Sequence, residues 1–95
     1  MACTIENKSD LENAIIFGTH QAFPKVEVTR DSVLRDDQPA GLGLDDLAVQ
    51  GYVVNIEHGL RKIGCRVDAP TIPSEQQACH SVGDVVDLIA RRMAF

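Results

Sequence analysis

The sequence predicts an all-α fold, a small bundle of three main helices plus one short helix. Three observations lead there. Three separate stretches carry apolar residues at spacings of three and four, so that each stretch gathers them on one face of a helix. Each helical stretch opens on a serine or aspartate of the kind that caps a helix. Between the stretches, prolines and glycines break the pattern. The 95 residues amount to one domain, 1–95, and 44% of them are hydrophobic, enough for one modest core.

The first helix is expected to open at Ser9-Asp10-Leu11-Glu12, a capping box with serine at the cap and glutamate three residues on. Leu11, Ala14, Ile15, Gly18 and Ala22 form its stripe, with Ile16 and Phe23 beside it. Gly18 weakens it by about 1 kcal/mol, so burial has to hold it. Pro24 ends it, because the residue before a proline is pushed out of the helical region. A long connection follows from Val26 to Pro39. Asp31 and Ser32 suit a turn, Val33 and Leu34 are its anchors, and Arg35 to Pro39 read as solvated loop.

The second helix should run from about Asp46 to Lys62. Gly41 and Gly43 give the backbone freedom just before it. Asp45 and Asp46 bring an acceptor and a negative charge to its start, and Arg61 and Lys62 bring positive charge to its end. Val49, Tyr52, Val53, Ile56 and Leu60 share its inner face, and Gly64 is a plausible stop. Pro70 and Pro73 keep the next segment irregular. Ser74 to Gln77 starts the short helix, a turn or two long. Ser81-Val82-Gly83-Asp84 caps the last one, whose inner stripe is Val82, Val85, Val86, Ile89 and Met93.

Charge and composition narrow the function classes. A net charge of -5 disfavours nucleic acid and anionic membranes, which need a concentrated positive face. No apolar run approaches the ~18 residues of a membrane span. Met1 to Lys8 lacks the apolar stretch of a secretory signal, so a cytoplasmic protein is expected. In that setting Cys3, Cys65 and Cys79, odd in number and without CxxC spacing, are expected as free thiols. A monomer is expected.

Leu42-Gly43-Leu44-Asp45-Asp46-Leu47 is similar to the Leu-Gly-x-Asp-Ser-Leu signature of acyl carrier proteins. Two further stretches resemble the same family: Val28-Thr29-Arg30-Asp31-Ser32 in the long connection, and Ser81 to Ile89 in the last helix. The resemblance covers about Val28 to Ile89. It implies a carrier-type bundle in which a serine opens the second helix and bears a 4'-phosphopantetheine arm. Asp46 stands at that position, flanked by Asp45 and Leu47, so the attachment hydroxyl is missing. The glycine after the second helix also arrives about one turn late. In the family the acidic start of this helix docks basic patches on partner enzymes. The matching set here is Asp36, Asp37, Asp45, Asp46 and Glu57, thinned by Gln50 and Gly51.

These residues lead to one main expectation: a carrier-like module of fatty-acid or polyketide-type acyl metabolism that bears no arm and docks to acyl- or polyketide-synthesis enzymes. No cofactor is then expected. A carboxylate cannot form the stable phosphodiester, and its charge opposes an incoming phosphate. One alternative is a genuine carrier with a substituted or displaced site, for which Ser32 in Asp31-Ser32-Val33-Leu34 is the candidate. Pro39 and Gly41 follow it too closely for a long helix to start there. A second alternative is a free lipid held between helices, with Gly18 and Gly51 facing inward. An enzyme is not expected. There is no Ser/His/Asp set, no phosphate-binding glycine loop and no HExxH. His58, Cys65, Cys79 and His80 match no zinc spacing, and His20 is isolated.

Overall fold

Four helices follow one another along the chain: α1 (Lys8–Ala22), α2 (Asp46–Lys62), α3 (Pro73–Gln77) and α4 (Val82–Arg92). They come from a computed structural model that describes residues 3–35, 41–68 and 70–95. Among the described residues there is no β-strand, only isolated bridges from Val33 to Gly41 and to Ser81. The fold is therefore the expected small all-α bundle of three main helices and one short one.

α1 starts earlier than the sequence suggested. Its cap is Asn7, whose side chain accepts the Asp10 N–H at 2.8 Å, while the Asp10 carboxylate accepts the Glu6 N–H at 3.1 Å. The Ser9/Glu12 box does not form, because the Glu12 carboxylate is drawn sideways to Arg30 at 2.8 Å. The buried stripe is Leu11, Ile15 and Thr19, a strict four-residue repeat. Ala14, Gly18 and Ala22, expected inside, are exposed.

α2 has the predicted bounds, with Asp45 as its cap and Arg61 and Lys62 in its last turn. Beyond it Gly64 takes a φ of 90°, a left-handed turn that glycine accepts without strain, and the Cys65 N–H reaches back to the Leu60 carbonyl at 2.9 Å. The buried residues are Val49, Val53, Glu57 and Leu60, while Tyr52 and Ile56 are only half-buried. The inner face is thus turned away from Tyr52 and toward Glu57, because α3 and the segment leading to it cover that side. α3 is capped at Ile72 rather than Ser74: Pro73 occupies the first helical position and the Glu75 carboxylate accepts the Ile72 N–H at 3.1 Å. α4 opens on the predicted Ser81/Asp84 box and is buried along most of its length.

α1 packs mainly on α4, and α2 mainly on α3. The connection after α1 seals the assembly. Val28 and Leu34 are buried, and the carbonyls of Arg30 and Ser32 accept the first N–H groups of α4, from Gly83 at 2.7 Å and Val82 at 3.0 Å. This satisfies donors that a helix start leaves unpaired. It also explains why residue 83 is glycine: a Cβ there would sit 3.0 Å from the Arg30 carbonyl oxygen. Gly83→Ala is expected to cost about 1–3 kcal/mol through that clash. Gly51→Ala, on an exposed turn of α2 with open space around it, should instead gain about 0.5–1 kcal/mol. Urea unfolding midpoints of the two variants should move in opposite directions.

Two further expectations change. Cys3 and Cys65 are joined in a disulfide, with Cα atoms 4.6 Å apart, and only Cys79 is a free thiol, buried. No sequence spacing announces this pair, since the bond spans 62 positions and exists only because the fold brings the N-terminal segment to the end of α2. Gly51 faces solvent rather than the interior. Among the described residues, no helix is long and apolar enough to cross a membrane.

Candidate functional site

The start of α2 is built by the loop before it. Gly43 adopts a φ of 69°, which turns the chain so that Leu42 is buried and Leu44 half-buried on either side of it. The N–H groups of Leu42 and Leu44 bond the carbonyls of Val33 and Leu34, both at 2.9 Å. Leu34 in turn donates its own N–H to the His80 carbonyl at 2.9 Å. The loop is therefore pinned to the connection after α1 and, through it, to the start of α4.

On this base sit Asp45, Asp46 and Leu47. The Asp45 carboxylate accepts the Ala48 N–H at 2.8 Å and closes the helix end. Asp46 occupies the first turn with a side chain 72% exposed, and Arg35 Nε donates to its carboxylate at 2.7 Å. The same guanidinium donates from Nη1 to the Cys79 carbonyl at 2.8 Å and from Nη2 to the Gln77 carbonyl at 2.7 Å. One arginine thus spans the start of α2 and the end of α3, where helix carbonyls run out of internal partners. Leu47 projects beside it, 77% exposed.

Chemically, this corner offers negative charge where the helix dipole favours it and an apolar side chain in water, and Asp45, Asp46 and Leu47 bring no hydroxyl or thiol to it. Asp46 is exposed and Arg35 half-buried, so solvent screens the pair and its own contribution to stability is about 1 kcal/mol or less. Arg35 was expected as solvated loop. Its role could not be read from the chain, because two of its three partners are backbone carbonyls more than forty positions away.

The other expected site residues divide. Asp36 and Asp37 lie outside the described residues. Glu57 does not belong to the acidic surface: it is 3% exposed, and its carboxylate accepts the Thr71 N–H at 3.2 Å and the Thr71 hydroxyl. Gln76 Nε2 donates to the Thr71 hydroxyl at 3.0 Å and to its carbonyl at 3.1 Å. This buried network joins α2 to α3 and leaves no carboxylate for a partner. The signal was present, since residue 57 falls four positions after Val53 and three before Leu60. Ser32 is buried, and its hydroxyl accepts the Thr29 N–H at 2.9 Å, as a turn residue does, so it is no accessible attachment site. Cys65 is committed to its disulfide, and His20, His58 and His80 are exposed.

A second feature lies between α1 and α2. These helices do not close on each other, and an open cleft of about 370 Å³ separates them. Ala14, Gly18 and Ala22 line one side, and Tyr52, Ile56 and Gly59 the other. A Cβ on Gly18 or Gly59 would meet nothing within 4 Å, so these glycines widen the cleft rather than serve close packing. Inside it the hydroxyls of Thr19 and Tyr52 are paired, and burial pushes the Tyr52 phenol above its ordinary value.

Compared with known proteins, the chain matches no family model, no curated protein and no solved structure.

Proposed function

We propose that the chain is a carrier-like module of fatty-acid or polyketide-type acyl metabolism that bears no phosphopantetheine arm and acts by docking to partner enzymes. The observation that carries this reading is the corner at Asp46. In acyl carrier proteins a serine hydroxyl would open this helix. Here a carboxylate stands at the position and is held by Arg35. The exposed Leu47 and the charge of Asp45 and Asp46 suit a basic partner surface with an apolar pocket. The proposed partners are acyl- or polyketide-synthesis enzymes met in the cytoplasm by a monomer.

The test is intact mass after incubation with a promiscuous phosphopantetheinyl transferase and coenzyme A. The wild-type protein should stay at the mass of the bare chain, and Asp46→Ser should gain one arm. An arm on the wild-type chain would restore the genuine-carrier reading. A bare Asp46→Ser variant would mean that a transferase does not recognise the surface, and the carrier-like reading would fall.

A second reading, a free lipid held by the bundle, is favoured by the apolar cleft between α1 and α2. Native mass spectrometry of the purified protein should then reveal a co-purified lipid. A bare spectrum, with no thermal shift on added fatty acid, would count against it.

A further inference from the structure

The residues before α1 form a strap that is fastened covalently at one point. Ile5 is buried, 8% exposed, and lines the α1–α2 cleft together with Leu60 and Ile63. Among the described residues, the backbone of Cys3 to Glu6 makes no backbone–backbone hydrogen bond to the rest of the fold, and the Glu6 N–H goes only to Asp10, in the first turn of α1. What holds the strap across the cleft is therefore the Ile5 side chain and the bond from Cys3 to Cys65. Cys65 is buried where α2 ends and Cys3 is only half-buried, so Cys3 is the more accessible partner of the bond.

The helices on either side do not depend on the strap in the same way. α1 is packed on α4, and Lys8 at its start pairs with Asp87 of α4 at 2.7 Å. That ammonium holds the Asp87 carboxyl below its ordinary value. α2 is packed on α3 and tied to it by the Glu57–Thr71–Gln76 network. Opening the disulfide removes the fastening of the strap while each helix keeps its principal partner.

We propose that Cys3–Cys65 is a redox latch: closed, it straps Ile5 over one end of the apolar α1–α2 cleft, and opened by a dithiol reductant, it releases residues 3–6 and uncovers that end. A disulfide with one partner only half-buried at the edge of the fold is open to exchange with a dithiol reductant. The chemistry is ordinary exchange. One thiolate of the reductant attacks Cys3 Sγ, and the Cys3–Cys65 bond breaks with its electron pair on the Cys65 sulfur, which takes up a proton. The second thiolate of the reductant then attacks its own mixed-disulfide sulfur and leaves as the cyclic disulfide. Cys3 departs as a thiolate and is protonated. The protein gains two electrons and two protons, and the dithiol loses them. Cys79 stands aside: burial pushes its thiol up to about 11, so it remains protonated at neutral pH. The inference is independent of the docking function, because it concerns the other end of α2.

The experiment uses the whole chain, oxidised and after treatment with dithiothreitol, with native-state alkylation to fix the thiols. The expected result is two alkyl groups, on Cys3 and Cys65, with an unchanged helical circular-dichroism signal. The Ile5 methyl resonances should move to the positions of a disordered chain while those of Val53, Val85 and Ile89 stay. Fluorescence of added anilinonaphthalene sulfonate should rise severalfold, and oxidised glutathione should reverse every change. The double variant Cys3→Ser/Cys65→Ser should reproduce the reduced state. Ile5→Ala, with the bond intact, should raise the dye signal without reductant. The proposal is overturned if reduction collapses the helical signal, since the bond is then a staple of the whole fold. It is equally overturned if the Ile5 methyls stay in place once the bond is open.

Discussion

Glu57→Ala is expected to lower the stability of the fold by about 3 kcal/mol, the range seen when one partner of a buried charged network is removed. Glu57 is 3% exposed and accepts both the N–H and the hydroxyl of Thr71. Deleting its carboxylate leaves two donors facing a void, each costing about 1–3 kcal/mol if unsatisfied. The hydroxyl of Thr71 also accepts from Gln76, so the loss spreads into α3. In a domain of this size such a change should lower the melting temperature by roughly 12–24 °C. Glu57→Gln keeps an acceptor oxygen toward Thr71 and should lose no more than about 1–1.5 kcal/mol. Thermal unfolding of both variants separates a network held by acceptor geometry from a side chain that merely fills space. Equal losses would refute the network.

The second large effect belongs to Leu34. Its side chain is fully buried, and its backbone donates to His80 and accepts from Leu44. Leu34→Ala should cost about 3 kcal/mol by the usual sum of lost burial and residual cavity. Its consequence should reach the candidate site, because the loop that aims Asp45, Asp46 and Leu47 hangs on residue 34. In the Asp46→Ser background, adding Leu34→Ala should slow loading by the transferase well beyond the unfolded fraction measured in parallel. Leu60→Ala, buried near the far end of α2 and away from that loop, should cost similar stability and leave the loading of folded molecules unchanged.

Local signals account for what the chain disclosed in advance. The bounds of α2 follow from Asp45 at one end and from Arg61, Lys62 and Gly64 at the other, all of which act within a turn of the residue concerned. The Ser81/Asp84 box is equally local. At α1 two rival caps lie two residues apart, and Arg30, eighteen positions beyond Glu12, decided between them. Distance also hid the Cys3–Cys65 bond and the clamp of Arg35 on Gln77 and Cys79. Glu57 was misplaced for another reason. A carboxylate on a helix defaults to solvent, and only the cover supplied by Thr71 and Gln76 reverses that. Within the candidate site, Asp45, Asp46 and Leu47 were legible because a helix start is written in consecutive residues.

The pairing of α1 with α4 and of α2 with α3 also sets an order of events. The chain between α2 and α3 is about ten residues long, whereas about sixty separate α1 from α4. Closing the longer loop costs about 1.5 kcal/mol more in chain entropy. In the reduced chain, α2 and α3 should therefore join first and α1 should dock last. Core substitutions in α2 should slow refolding, while those in α1 should mainly hasten unfolding, a contrast that the two arms of a chevron plot resolve. The last helix to arrive is then the one that forms a wall of the cleft, and the first to leave.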